Sequence, residues 1–241
     1  MSRVSPSHPS PWRLAGHDRG VAVLVVPGAG VRRYARPAVE ALRGRGVAAW
    51  LLPAPGGAGG PADVERYGVE LARRLASDSA EPVELLVGLS VGTQAAAVAA
   101  AVLPPGRLRG LTLVSPTVDP RIRSAPRMLA RWLAAGRLER PGLLAAQGPD
   151  WWRAGPGRLA RVVRSALRVR LEDVLPRVPA ALSVVHGADD VICSHAYAAA
   201  LAADHGGRLV VVPGATHSWP YADADRFADT VIELLGWPAS P

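Results

Sequence analysis

Apolar, β-branched segments recur along this chain, and each is followed by a segment whose apolar residues have helical spacing. The first, residues 21–27 (VAVLVVP), is apolar without interruption, which is typical of a strand buried on both faces. Strands that alternate with helices favour a parallel sheet, because each parallel connection must cross back over the sheet. The sequence therefore predicts an α/β fold with a mostly parallel sheet and helices on both faces. About six main strands are expected, at residues 21–27, 47–52, 83–89, 108–115, 181–186 and 208–213.

The alternation is interrupted once, by a long segment at about residues 116–179. Two stretches in it, residues 127–138 and 159–168, have helical spacing, and we interpret the segment as a helical cap over the sheet. Residues 1–20 are polar and rich in proline and are interpreted as a lead-in, so one domain is expected over residues 21–241. Outside the cap, helices are expected at residues 33–45, 63–77, 91–103, 195–204 and 222–235.

Positive charge is concentrated in the cap. All 28 basic residues are arginines, and the formal net charge is +8. Residues 119–180 contain thirteen arginines and five acidic residues, whereas the rest of the chain is balanced. A local excess of this kind attracts anionic ligands, but solvated helix faces in an arginine-rich chain would give the same pattern.

Simpler features exclude or disfavour several classes of protein. A single cysteine, Cys193, excludes an intrachain disulfide. The first twenty residues lack the apolar segment of a secretory signal, and no apolar run approaches the length of a membrane span. We therefore expect a cytoplasmic protein. No cluster of His, Cys and Asp has metal-ligand spacing and no phosphate-binding loop occurs, so neither a metal nor a cofactor is expected.

The strongest chemical signal is Ser90, in the segment Gly88-Leu89-Ser90-Val91-Gly92 between a predicted strand and a predicted helix. A nucleophile on such a sharp turn needs small neighbours, because the backbone there is strained and crowded. The turn lifts the hydroxyl clear of the sheet, and the helix N-terminus offers free N–H groups to a developing anion. This context favours a nucleophilic serine over an ordinary tight turn.

A serine hydroxyl needs a base, and the base needs an acid to hold it. Acids follow the fifth predicted strand in His186-Gly187-Ala188-Asp189-Asp190, and a histidine follows the sixth in Pro213-Gly214-Ala215-Thr216-His217. Both segments lie just beyond the carboxyl end of a strand, as Ser90 does. Since open α/β sheets place their sites at that edge, the three groups are expected to converge.

These motifs resemble the α/β-hydrolase superfamily, and the resemblance covers about residues 20–237. It implies that a Gly-x-x-Asp turn carries the triad acid, which corresponds to Asp190, with Asp189 as the alternative. It also implies that a Pro-Gly-x-x-His loop carries the base, which corresponds to His217. The family commonly begins with a two-stranded meander; only residues 1–20 precede the first core strand here, with residues 12–15 as a strand-like piece, so a truncated sheet is expected.

The oxyanion hole needs two N–H donors. The residue after the nucleophile, Val91, supplies one. The resemblance implies that the loop after the first core strand supplies the other, from Ala29 or, as the alternative, Gly30. Pro27 stands where the family usually has histidine, which removes a side-chain contact but leaves the backbone donor.

Together these residues predict a serine esterase or thioesterase. The cap bears on the substrate: Trp132, Trp151 and Trp152 are candidates to wall an apolar acyl pocket. Its arginines would suit coenzyme A thioesters or an acidic acyl carrier protein.

Two alternative functions remain open. One is a non-hydrolytic enzyme of this fold, such as a cyclase, lyase or acyltransferase of secondary metabolism. The other is a binding module that uses the cap on nucleic acid or a membrane surface, although the cap lacks a nucleic-acid motif.

Overall fold

The computed structural model describes residues 22–57, 60–78 and 82–236. Its centre is a six-stranded sheet in the order β2-β1-β3-β4-β5-β6, and all neighbouring strands are parallel. The strands are β1 (Ala22–Val26), β2 (Ala48–Leu51), β3 (Val83–Leu89), β4 (Leu108–Val114), β5 (Ala181–Gly187) and β6 (Arg208–Val212). The predicted parallel α/β fold is confirmed. The lead-in and its strand-like piece at residues 12–15 lie outside the described residues.

The strands are apolar throughout because both faces of the sheet are covered. Along β1, Leu24 and Val26 belong to one buried cluster, whereas Val23 and Val25 belong to the other. Successive strand residues point to opposite faces, so a strand between two cores must be apolar at every position. All four side chains are fully buried.

Helices cover both faces of the sheet. They are α1 (Arg36–Gly44), α2 (Val64–Asp78), α3 (Gly92–Val102), α4 (Ala125–Ala135), α5 (Leu143–Ala154), α6 (Pro156–Arg168), α7 (Leu171–Val174), α8 (His195–Asp204), α9 (Trp219–Ala222) and α10 (Ala224–Leu235). Residues of α2, α3 and α8 lie in one core cluster, and residues of α1 and α10 lie in the other. No helix of the described ranges is long and apolar enough to cross a membrane.

Four helices, α4 to α7, form the cap between β4 and β5. The sequence predicted α4 and α6 but not α5, because Gly148 and Pro149 interrupt its pattern. Pro149 nevertheless lies inside the helix. The helix expected at residues 222–235 corresponds to α10, which begins after Asp223, whose side chain accepts a hydrogen bond from the Arg226 N–H. The short helix α9, just before it, was not predicted.

Polar groups anchor the cap to the body. The Arg158 guanidinium donates to the carbonyl oxygens of Gly56, at 2.8 Å, and of Gly57 and Gly60. The buried amide of Gln94, on α3, donates to two carbonyl oxygens of the cap at 2.7 Å each. Since buried polar groups are costly to leave unpaired, these contacts hold the cap against the body.

Candidate active site

Ser90 lies on a strained turn between β3 and α3. Its φ angle is 55°, in the left-handed region that residues with a side chain rarely adopt. Its N–H donates to the Val114 carbonyl at 3.0 Å, which fixes the turn against β4. A Cβ on Gly88 would lie 2.5 Å from the Thr93 Cα, and one on Gly92 would lie 2.2 Å from the Val26 carbonyl oxygen. The two glycines are therefore required by close backbone contacts.

The structure brings Ser90, His217 and Asp190 together. The His217 Nε2 lies 2.9 Å from the Ser90 Oγ, and its Nδ1 lies 2.9 Å from the Asp190 Oδ2. Both partner side chains are withdrawn from solvent, with 8% of the His217 side chain and none of the Asp190 side chain exposed. This is the geometry of a nucleophile, a base and an orienting acid.

Two backbone amides hold the Asp190 carboxylate in place. Its Oδ1 accepts hydrogen bonds from the N–H groups of Ile192, at 2.8 Å, and Cys193, at 3.0 Å. Burial raises the pKa of Asp190, but the charge and hydrogen bond of His217 and the two amides outweigh it, so the pKa lies below its ordinary value. The alternative, Asp189, is exposed and does not reach the histidine.

Opposing effects set the basicity of His217. Burial lowers its pKa, whereas the negative charge of Asp190, the hydrogen bond to it and the negative charge of Glu139 raise it. The net result is a pKa above the ordinary histidine value. The imidazole is therefore a stronger base than a free histidine, and it is neutral only above that raised pKa.

The loop after β1 lies beside the nucleophile. A Cβ on Gly28 would lie 3.5 Å from the Ser90 Cβ. The Gly30 N–H is engaged with the Pro55 carbonyl at 2.7 Å, which removes this alternative oxyanion donor. Within the described residues the N–H groups of Ala29 and Val91 donate to no protein acceptor. These two amides are left available for a ligand oxygen.

The three cap tryptophans have different surroundings. The Trp151 indole N–H donates to the Ala29 carbonyl at 3.2 Å, which brings α5 onto the loop beside Ser90. Trp132 packs edge-on against Trp151, with ring centroids 5.3 Å apart. Trp152 is 89% exposed, so the structure does not place it in a pocket wall. Adjacent residues of a helix point in different directions, and an inward Trp151 turns Trp152 outward.

Two further residues support the site and were not predicted. Glu139, in the cap, accepts hydrogen bonds from residues on both sides of His217. The Tyr34 hydroxyl accepts a hydrogen bond from the Gly28 N–H at 3.2 Å and steadies the loop after β1. Glu139 is the one acidic residue between positions 120 and 149, and this isolation in a basic segment was the available signal.

Across the described ranges there is no group of three or more His, Cys, Asp or Glu residues that could hold a metal ion.

The sequence matches a family model over residues 23–230, and the chain belongs to the alpha/beta hydrolase family. A search of curated protein sequences found no match to this chain. The family assignment agrees with the parallel sheet and with the position of Ser90 at the strand-to-helix turn.

Solved structures of low sequence identity share the fold. A hydrolase from Oleispira antarctica has a TM-score of 0.75 at 13% identity, covering 90% of this chain and 91% of that one. An enol-lactonase from Burkholderia xenovorans LB400 has a TM-score of 0.71 at 19% identity, covering 92% and 93%. A bromoperoxidase from Bacillus anthracis has a TM-score of 0.73 at 14% identity, covering 91% and 93%. At these identities the similarity concerns the fold.

Proposed function

We propose that this protein is a serine hydrolase that cleaves a carboxylic ester or an acyl thioester through an acyl-enzyme intermediate. The observation that carries the proposal is the continuous chain of contacts from the Ser90 Oγ through the His217 ring to the Asp190 carboxylate, with 2.9 Å at each step. A hydroxyl so connected loses its proton to the imidazole as it attacks a carbonyl carbon.

The reaction follows from these roles. The His217 Nε2 takes the Ser90 proton as the Oγ bonds to the acyl carbon, and the resulting imidazolium is stabilised by Asp190. The protonated imidazole then gives that proton to the departing alcohol or thiol. In the second half, His217 deprotonates a water molecule that attacks the acyl-Ser90 carbonyl, and the carboxylic acid leaves as Ser90 regains its proton.

The unpaired amides of Ala29 and Val91 support the proposal, because the tetrahedral intermediates carry a negative oxygen that needs donors already in position. Oxyanion stabilisation of this kind is a large part of acyl-transfer catalysis. The related enol-lactonase structure, by its name, belongs to an enzyme of cyclic esters. Lactones therefore belong in the substrate panel beside linear esters and thioesters.

The experiment is a steady-state comparison of Ser90→Ala with the wild type on p-nitrophenyl esters, acyl thioesters and lactones. We expect Ser90→Ala to lower kcat/KM on the best substrate by at least about 10⁴-fold. Ser115→Ala is the matched control, because Ser115 also directly follows a strand and has a positive φ of 49°, but its buried hydroxyl has no partner among the described residues. Undiminished turnover by a folded Ser90→Ala protein would refute the proposal.

The cap extends the proposal to anionic acyl donors such as coenzyme A thioesters or acyl carrier protein. Some arginines of the cap have structural partners: Arg158 binds loop carbonyls, and Arg168 pairs with Asp63 at 3.0 Å. The side chains of Arg137 and Arg140 are exposed and have no hydrogen bond or ion pair to the residues described. Exposed, unpaired guanidinium groups support attraction of an anionic leaving group.

A further inference from the structure

Glu139 lies in the turn between α4 and α5, and its carboxylate reaches the loop that carries His217. The Thr216 hydroxyl donates to one of its oxygens at 3.0 Å, and the Ser218 N–H donates to the other, also at 3.0 Å. The two donors are the residues immediately before and after His217. One cap side chain thus holds both sides of the histidine.

We propose that Glu139 is a positioning residue for His217, through which the closed cap sets the place of the base. This inference rests on the proposed hydrolytic function. The hydrogen bonds of Glu139 go to the histidine loop and not to Ser90. If the cap moves away, the carboxylate leaves with it, and the loop loses both hydrogen bonds. The base is then complete only when the cap is closed.

Asp150 is a second carboxylate of the cap that binds backbone N–H groups of a body loop, and it provides a comparison for Glu139. Asp150, on α5, accepts hydrogen bonds from the N–H groups of Arg32, at 2.8 Å, and Arg33, at 2.9 Å. It also pairs with the Arg33 guanidinium at 3.2 Å. Asp150 anchors the cap to the loop after β1, whereas Glu139 anchors it to the loop of the base.

The charge of Glu139 also acts on the histidine. The charged and titratable groups that face His217 are Asp190 from the loop after β5 and Glu139 from the cap, and the buried His186 of β5 interacts electrostatically with both Asp190 and His217. Burial lowers the pKa of His217, and the two carboxylates oppose it. Removal of the Glu139 charge therefore lowers the pKa of the imidazole, which a contact of purely structural importance would not do.

The test measures the rate at which a fluorophosphonate labels Ser90 as a function of pH, because labelling needs a neutral, correctly placed His217. Glu139→Gln removes the charge and leaves one acceptor oxygen. We expect its plateau rate to fall about tenfold, as for the loss of one good hydrogen bond, and the acid limb of its pH profile to move to lower pH. Asp150→Asn is the matched control, with its acid limb at the wild-type pH.

The possible results separate this inference from the proposed function. If the wild type is not labelled, the hydrolase proposal fails. If the wild type is labelled but the acid limb of Glu139→Gln does not move, or moves equally in Asp150→Asn, the role of Glu139 is refuted. If Glu139→Gln does not fold, Glu139→Asp is measured. This variant keeps the negative charge on a shorter side chain. A lower plateau labelling rate with the acid limb at the wild-type pH supports the inference, and any other pH profile overturns it.

Discussion

Ser90 has a left-handed backbone conformation that is unfavourable for a residue with a side chain. A non-glycine residue at a φ of 55° costs about 1–3 kcal/mol and persists only where the surroundings fix it. Here the surroundings are the hydrogen bond to Val114 and the close approach of Gly92 to the end of β1. The strain has a chemical consequence, because the same turn directs the hydroxyl to the His217 ring.

Gly92→Ala tests this crowding. The added Cβ would lie 2.2 Å from the Val26 carbonyl oxygen and 2.6 Å from the Pro27 carbonyl oxygen, both of which are backbone atoms. We expect a loss of at least about 2 kcal/mol in the free energy of unfolding, measured in urea. Gly157→Ala is the control, because no atom lies within 4 Å of the added carbon in this helical position. It should be neutral or stabilising by up to about 1 kcal/mol, and equal losses in both variants would argue against the crowding.

Asp190→Asn tests the orientation and basicity of His217. The variant lacks the negative charge that raises the pKa of the imidazole, so the acid limb of kcat/KM should move to lower pH. The amide also favours the wrong tautomer, and we expect kcat/KM at neutral pH to fall about 10³- to 10⁴-fold. Asp189→Asn, at an exposed neighbour, should keep both the rate and the profile. Similar losses in the two variants would contradict the assignment.

At this scale the sequence predicted the three candidate catalytic residues that the structure brings into contact. Ser90, Asp190 and His217 each follow a strand, and parallel topology then brings the strand ends to one edge. Glu139 was missed because its contacts cross 77 and 79 residues of sequence, and no local pattern records them. Trp152 was named as a candidate because it lies in the cap, and its side chain is 89% exposed. Residue type alone does not give the direction that a side chain faces on a helix.

At the scale of elements, the strands were predictable and the cap was less so. A strand between two cores must be largely apolar on both faces, so β1 and β3 are recognisable in the sequence as mostly apolar runs. The cap helices α4 and α6 are amphipathic and were predicted, whereas Pro149 concealed α5. How the cap sits on the sheet depends on contacts such as those of Arg158, which join distant segments.

Arg158→Ala tests the anchorage of the cap. The variant leaves the carbonyl oxygens of Gly56, Gly57 and Gly60 without their charged donor. Because hydrogen bonds to charged groups contribute about 1.5–3 kcal/mol, we expect tryptic cleavage within the cap to accelerate at least about tenfold under native conditions. Arg161→Ala, on the exposed side of the same helix, is the control and should match the wild type. No acceleration in Arg158→Ala would show that other contacts hold the cap.

At the scale of the whole molecule, the cap contacts three loops of the body. Trp151 and Asp150 contact the loop after β1, Arg158 contacts the glycine-rich loop after β2, and Glu139 contacts the loop of His217. The two carboxylates among these point inward to the body. Most arginines of the cap are exposed, so its charge excess faces solvent.

This charge distribution predicts a salt dependence that differs between substrates. If the exposed arginines attract an anionic leaving group, kcat/KM for an acyl-coenzyme A should fall about tenfold between low salt and 0.5 M salt. A neutral p-nitrophenyl ester of equal chain length should change less than about twofold. Replacement of Arg137 and Arg140 by alanine should reduce the salt effect, and Arg168→Ala, which breaks the pair with Asp63, should not. Equal salt dependence for both substrates would contradict attraction by the cap.

The central claim is that Ser90 is a nucleophile activated by His217, and the most direct measurement is the intact mass of the protein after treatment with a fluorophosphonate. The wild type should gain one phosphonyl group, which peptide mapping assigns to the segment that contains Ser90. Ser90→Ala should gain none, with its fold checked by circular dichroism. Absence of the adduct in folded wild-type protein, or the same adduct in Ser90→Ala, would contradict the account.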